Sequence, residues 1–400
     1  MRKIQYLGGI DIEGKQRARE KGRSQKIQLE ATCNMGLEAV VKRELLAMGA
    51  EEVRAHNGRV AFSGPGNFIA RANLNLRSAE RVHWILGQFP ATEFEDLYQG
   101  VKAVDWGALI PEDGKFITEA KSQKSALFSL SDIQRIGERA IIDKLNERYH
   151  RSWYDKTGAR YRVGFRLEED VATVYLDTSG TGLHDRGYRK RSVAAPLTET
   201  MAAALVQLTF WKKSAPLVDP FCGSGTLLIE AVLRERNIAP GLNRTFDFQH
   251  WKEEVVDFGY AEERREAYAA IDYEGQLEIV GSDVDERAVK SARYNIEALG
   301  FEDDITILHK DIRDLRMGGD YGIILTNPPY GIRLEKAEVD RAERELGKFF
   351  ASLPTWSLFA ITSSKDLEKK VGKGANRKRK LYNGSIRVDY YQFYGPKPRR

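Results

Sequence analysis

The sequence has almost no cysteine. Cys33 and Cys222 are the only two in 400 residues, and they stand too far apart along the chain to suggest either a disulfide scaffold or a zinc finger. That usage fits a reducing cytoplasm. No apolar run approaches the roughly 18 residues needed to cross a bilayer, and the first 30 residues are polar and basic, without a signal-peptide core. A soluble, cytoplasmic protein with no membrane partner is expected. No internal repeat or low-complexity tract appears. An excess of one charge sign is also lacking: 63 basic against 58 acidic side chains leave a formal +5, too small to speak for nucleic acid. The remainder is ordinary globular composition, 42% apolar and 30% charged, over a length that fits two or three domains of about 100–200 residues each.

The placement of charge is more informative than its sum. Residues 1–30 hold eight basic and four acidic side chains, and the stretch to residue 25 reads as a flexible basic arm. Residues 371–400 carry nine basic side chains against one acid, Asp389, and include the run Arg377, Lys378, Arg379, Lys380. Arg186, Arg189, Lys190 and Arg191 form a third cluster. One such run is most simply a solvated face, whereas three on one chain point to a polyanionic partner.

Periodicity divides the chain in two. Residues 27–32 read as a strand, 36–48 as a helix with apolar Leu37, Val40, Val41, Leu45 and Met48, and 59–62 as a second strand stopped by the turn Ser63-Gly64-Pro65-Gly66. Residues 115–120 alternate like a strand, Ser131-Asp132 is positioned to cap a helix running to about 146, and strands follow at 160–167 and 171–177. This mixture suggests an α+β half. From residue 215 strands and helices alternate: strands at 216–219, 277–283, 305–309 and 322–327, helices at 226–236 and 286–299. That rhythm implies a parallel sheet with helices on its faces. Residues 237–275 interrupt it with Phe246, Phe248, Trp251, Phe258 and Tyr260, and are read as an insertion packed on that sheet.

The chemical signals sit at the ends of the parallel strands. Asp219-Pro220-Phe221-Cys222-Gly223-Ser224-Gly225-Thr226 joins a strand to a helix through a glycine turn that lets backbone N–H groups approach a ligand. It has no Gly-Lys-Ser/Thr for a phosphate loop, and Leu228 occupies the place of a dinucleotide fingerprint's third glycine. A nucleoside cofactor is the natural guest. Asp283 ends the next strand, where a ribose diol would bind, and Asp311 follows the third. Asp311 taken alone is as well read as a helix cap, and the same holds for Asp285. The fourth strand delivers Asn327-Pro328-Pro329-Tyr330-Gly331. Two prolines remove two N–H donors and stiffen the chain, so the Asn327 amide oxygen and the Pro328 carbonyl become fixed acceptors. Two acceptors suit an exocyclic amine with two protons, and Tyr330 offers a ring for a base extruded from its stack.

This order of residues resembles the class I S-adenosylmethionine-dependent methyltransferases that modify amino nitrogens. With Leu183-His184-Asp185-Arg186-Gly187-Tyr188-Arg189 and Ala195-Pro196-Leu197-Thr198-Glu199, it is more narrowly similar to the bacterial THUMP-domain 23S rRNA guanine-N2 methyltransferases. The resemblance runs from about residue 27 to 393. It implies a basic arm at 1–25, a ferredoxin-like part at 26–66, a THUMP RNA-binding domain at 67–182 and a Rossmann-like α/β methyltransferase domain at 183–395. Some relatives carry a second fused methyltransferase domain, which is not expected here. The implied cofactor is S-adenosylmethionine, held by Asp219, Cys222, Gly223, Gly225, Thr226, Asp283 and Asp311, with Pro196, Thr198 and Glu199 closing the pocket. Asn327, Pro328, Pro329 and Tyr330 are the implied catalytic group. No metal is required, and His184 and His309 are expected to be structural or RNA-facing. Lys121, Lys124, Arg186, Arg189, Arg377, Lys378, Arg379 and Lys380 are candidate RNA contacts. The expected substrate is rRNA, with tRNA second. The tetrapeptide also serves adenine-N6 and glutamine-amide methyltransferases, and a non-catalytic RNA-binding or assembly factor is the alternative from another class.

Overall fold

The computed structural model describes residues 26–151, 154–189, 197–251, 258–329, 336–384 and 386–397. Two mixed seven-stranded sheets organise them. The first contains β1 (Lys26–Thr32), β2 (Glu51–His56), β3 (Arg59–Pro65), β4 (Arg81–Pro90), β5 (Lys115–Gln123), β6 (Arg160–Glu168) and β7 (Val171–Asp177), in the order β2-β3-β1-β4-β7-β6-β5. Its helices are α1 (Glu38–Ala47), α2 (Phe68–Asn75), α3 (Phe94–Lys102), α4 (Trp106–Leu109) and α5 (Leu130–Tyr149). β4 pairs with β1 on one edge and β7 on the other, so a single hydrogen-bonded sheet runs through the region expected to hold two domains. α5 begins at Leu130 after Ser129, slightly earlier than Ser131-Asp132 suggested; the Ser129 hydroxyl donates to the Asp132 carboxylate at 2.6 Å.

The second sheet contains β8 (Leu217–Asp219), β9 (Ile279–Asp283), β10 (Ile305–His309), β11 (Ile323–Thr326), β12 (Ser357–Thr362), β13 (Arg377–Asn383) and β14 (Ile386–Phe393), in the order β10-β9-β8-β11-β12-β14-β13. β8 to β12 are mutually parallel, and β14 and β13 add an antiparallel edge. Helices cover both faces. α6 (Glu199–Gln207), α7 (Thr226–Glu235) and α9 (Glu286–Glu297) share a core with Leu217, Ile279, Ile307 and Leu325. α10 (Lys336–Ala351) and α11 (Leu367–Val371) pack on Val218, Ile324, Leu358 and Tyr391 from the other side. α8 (Tyr260–Ala269) lies in the aromatic insertion. No described helix is long and apolar enough to cross a membrane.

Two features depart from the sequence reading. The run Arg377–Lys380 is part of edge strand β13, where basic side chains blunt an open edge. The aromatic insertion does not pack on the parallel sheet. Phe246, Phe248, Trp251 and Phe258 belong to the core of the first half: Trp251 stacks on Tyr161 with centroids 5.1 Å apart, and its indole N–H donates to the Arg160 carbonyl at 2.8 Å. Asp247 takes both ends of the Arg160 guanidinium at 2.8 Å, and Glu263 of α8 does the same for Arg71 of α2. The aromatics are a hook by which the second half grips the first. Trp251→Ala is therefore expected to lower unfolding free energy by about 3–5 kcal/mol in a urea titration. A loss confined to the second half's own transition, with the first half unaffected, would show that the hook does not join them.

Candidate active site

The sheet order β10-β9-β8-β11 sets four carboxyl-end loops side by side, the edge at which open α/β sheets bind ligands. β8 ends in Asp219, whose Oδ1 accepts from the Phe221 N–H at 3.1 Å and from the Thr326 hydroxyl at 2.6 Å. Gly223 (φ +55°) and Gly225 (φ +84°) take left-handed conformations as the chain turns into α7, which explains glycine at both. Gly225 also meets α9, since a Cβ there would lie 3.4 Å from that of Ala292. The Gly223 N–H donates to Asp283 Oδ2 at 3.0 Å, and Asp283 Oδ1 receives the Asp285 N–H at 2.9 Å. Backbone amides thus fix the Asp283 carboxylate while each oxygen keeps a further lone pair. Asp285 caps α9.

The carboxylates are shifted in different directions. Burial, with the neighbouring Asp283 charge adding, pushes Asp219 up to about 7, against the Thr326 hydroxyl and the Phe221 amide, which hold it down. Asp283 is also raised, first by burial. Asp311 is held down at about 2, first by the Arg313 guanidinium, to which it bonds at 2.8 and 3.0 Å while capping a short 3₁₀ turn. Its capping role is present in this geometry. Cys222 is buried and its thiol is raised well above the usual range, which excludes a thiolate nucleophile.

At the end of β11 stands Asn327. Its side-chain Oδ1 is buried and has no hydrogen-bond partner among the described residues. Pro328 behind it is buried and Pro329 half-buried. Tyr330 and Pro196 lie outside the described residues, as do Lys190, Arg191 and the arm 1–25.

Thr198 caps α6 by accepting from the Met201 N–H, and Glu199 in its first turn is buried. Arg189 reaches this point: it ion-pairs with Glu199 at 3.1 Å and donates to the Leu197 carbonyl and to Thr226 Oγ1 at 3.3 Å. Arg189 is thus an internal strut rather than a solvent-facing contact. Arg186 is 3% exposed, bonds the carbonyls of Leu183 and Arg77, and lies 3.5 Å from buried Glu230. It too is withdrawn from the protein surface, because a guanidinium with its donors turned inward has none to offer outside. Lys121 is exposed, and so is Lys124, which pairs with Glu169 at 3.4 Å. His184 pairs with Glu80 at 2.9 Å, and His309 Nε2 lies 3.1 Å from the Val284 carbonyl. Sequence reasoning passed over Thr326, whose only signal was its place between Asp219's strand partner and Asn327.

Family models match residues 28–83 (RlmL ferredoxin-like domain), 91–177 (THUMP domain) and 186–392 (RMKL-like methyltransferase domain). The chain is 44% identical over 372 residues to the RNA methyltransferase candidate YpsC of Bacillus subtilis, covering 92% of this chain and 96% of that one. It is 33% identical over 389 residues to ribosomal RNA large subunit methyltransferase K/L of Syntrophotalea carbinolica, of which it spans 53%. Among solved structures, SMU.472, a methyltransferase candidate crystallised with S-adenosylhomocysteine (SAH), is 43% identical with a TM-score of 0.88, covering 94% of this chain and all of that one. A Listeria monocytogenes protein described as an N6-adenine-specific DNA methylase is 41% identical with the same TM-score, covering 93% and 97%. The chain belongs to the RMKL-like methyltransferase family and, by that membership, is an S-adenosylmethionine-dependent RNA methyltransferase.

Asp219 provides a test of the site's electrostatics. Its folded pKa lies near 7, against the ordinary 3.8, so the stability it lends the protonated form is complete below about 4 and lost as pH rises through 7. In the cofactor-free protein, Asp219→Asn should match the parent melting temperature near pH 4 and exceed it by a growing margin to about pH 7.5. A pH-independent difference would contradict the assigned charge state.

Proposed function

We propose that this chain methylates the exocyclic N2 amine of a guanine in RNA, with large-subunit rRNA the preferred substrate and tRNA the second. The observation that carries the reading is the buried Oδ1 of Asn327, which has no partner among the described residues. An orphaned buried acceptor is costly, on the order of 1–3 kcal/mol, and is tolerated where a ligand completes it. An amine with two protons completes it and the Pro328 carbonyl together. The planar amine is a weak nucleophile because its lone pair is delocalised into the ring; accepting both N–H bonds turns that lone pair toward the electrophile.

The residues present fit S-adenosylmethionine. A buried carboxylate such as Asp219, reluctant to ionise alone, suits the ammonium of the methionine part, which favours the charged form. Gly223 and Gly225 allow close approach, the remaining lone pairs of Asp283 suit ribose hydroxyls, and Asp311 lies toward the adenine. Val284, 67% exposed next to Asp283, gives the adenine ring an apolar edge. When bound, the cofactor supplies a methyl group already activated on a sulfonium. The chain's share is then orientation. The Thr326 hydroxyl ties the cofactor carboxylate of β8 to the residue preceding Asn327, so both substrates are positioned from one hydrogen-bonded pair. The amine's surplus proton leaves after transfer.

An adenine N6 amine would satisfy the same two acceptors, and the Listeria relative is described in those terms. The THUMP module favours RNA over DNA, and the K/L relative favours large-subunit rRNA. Asn327→Ala should lower kcat by about 10²–10³-fold, the scale for losing one preorganised polar contact, with RNA and cofactor affinities nearly unchanged. Incubation with labelled S-adenosylmethionine and total RNA from a strain lacking this protein, followed by nucleoside mapping, should yield N2-methylguanine in rRNA. Label in tRNA alone would replace the substrate; N6-methyladenine would replace the base; full activity of the Asn327 variant would remove the mechanism.

A further inference from the structure

The basic run on β13 is not one patch. Strand alternation sends Arg377 and Arg379 to the face on which Leu381 is buried, and Lys378 and Lys380 to the other. There Lys378 sits 4.3 Å from the Tyr391 ring centroid and 3.9 Å from the Asp389 carboxylate. The arginine face meets α1. Gly36 stands so close to β13 that a Cβ would fall 2.8 Å from the Lys380 carbonyl, and Leu37 and Val40 share a core with Leu381. Arg43 is one helical turn beyond Val40, and Arg379 is the same-face neighbour of Leu381. Two different periodicities therefore bring Arg43, Arg377 and Arg379 to one corner.

Among the described residues these guanidinium groups lack counter-charge. No carboxylate pairs with any of the three among the described residues, and Arg379 Nε is buried without an acceptor. The Arg379 pKa is lowered, first by burial and then by Arg377 and Arg43. Beside them Phe210, just past α6, leaves 55% of its surface exposed. Phe359 and Tyr394 hold it edge-on at 5.3 and 5.6 Å, and Tyr394 is also among the groups facing Arg379.

Edge protection accounts for lysines on an outer strand. It does not account for a buried, unpaired guanidinium N–H, for a third arginine supplied by a helix of the other half, or for an open ring next to them. Phosphate oxygens complete the first two and a base completes the third. We infer that Arg43, Arg377, Arg379 and Phe210 form a second RNA-contact site, which binds the backbone of a single-stranded segment and stacks one of its bases. β13 lies three strands from β11, roughly 14 Å at the usual strand spacing, so this nucleotide is not the one presented to Asn327. The inference rests on RNA being the substrate.

The test is anisotropy titration of the full chain with a fluorescent single-stranded RNA oligonucleotide across salt concentrations, beside a methylation assay on total RNA. R43Q/R377Q/R379Q should weaken binding at least about tenfold at low salt and flatten the log K against log salt slope by about 2. Phe210→Ala should weaken binding about fivefold or more with the slope unchanged. kcat at saturating RNA should stay at the parent value in both. Should the triple variant prove unstable, Arg43→Gln at its exposed helix position should still flatten the slope by about 0.7. Unchanged affinity and slope, in variants of a parent that binds and methylates RNA, would overturn the site and leave the RNA reading standing. A parent that neither binds nor methylates RNA would overturn both. A variant that binds RNA normally but sediments as a smaller species would make the corner a contact between two copies, and so overturn it as an RNA site.

Discussion

The two halves are held in one geometry by charged groups buried between them. Arg77, from the first half, donates to the carbonyls of Leu233 and Ile238 at the end of α7 at 3.0 and 2.9 Å. Its own carbonyl receives Arg186, which lies against Glu230 of α7, and Glu230 accepts the Tyr188 hydroxyl at 2.9 Å. Glu44 of α1 takes the Arg77 and Ser78 amides and the Gln207 side chain at 2.6 Å. A buried guanidinium tolerates few arrangements, because each N–H left without an acceptor carries the full desolvation penalty. Such a network adds little net stability over an apolar contact but admits few alternative dockings. What it fixes is the position of α7 relative to the first sheet, and α7 carries the glycine turn at its head.

From α7 the constraint passes to the chemistry through short hydrogen bonds. Arg189 joins Thr226, in the first turn of α7, to Glu199 in the first turn of α6. Gly223 joins the turn to Asp283, and Thr326 joins Asp219 to the strand that ends in Asn327. The tips of β8, β9 and β11 are thus tied to one another, which holds the groups at this edge in fixed directions.

Much of this was legible in advance because it depends on local pattern. The strands β7 and β10 fall at the expected residues, since alternation and turn chemistry are written within a few residues of each other. The strand-tip carboxylates and Asn327 follow from the topology, which in a parallel sheet leaves one edge for ligands. The misread residues are those whose meaning depends on distant partners. Arg186 looks like part of a basic surface until Leu183, Arg77 and Glu230 converge on it. The aromatics at 246–260 are apolar whichever sheet they cover, and only the acceptors Asp247 and Glu263, matched to Arg160 and Arg71, choose the first. Residues 377–380 read as a charge run because β13 alternates two basic faces, so the period-2 signal that hydrophobic contrast normally supplies is missing.

Helix α1 carries a further consequence. Its residues Val41 and Leu45 belong to the core of the first half, while Val40 and the capping residue Leu37 belong to that of the second. One helix is thus a party wall between two interiors. Removal of the ferredoxin-like segment would strip the catalytic half of part of its own lining and uncover Leu381. Despite its recognisable boundaries, this methyltransferase domain is not a portable cassette, and recombination within the family would have to carry α1 along with the domain it precedes in the chain.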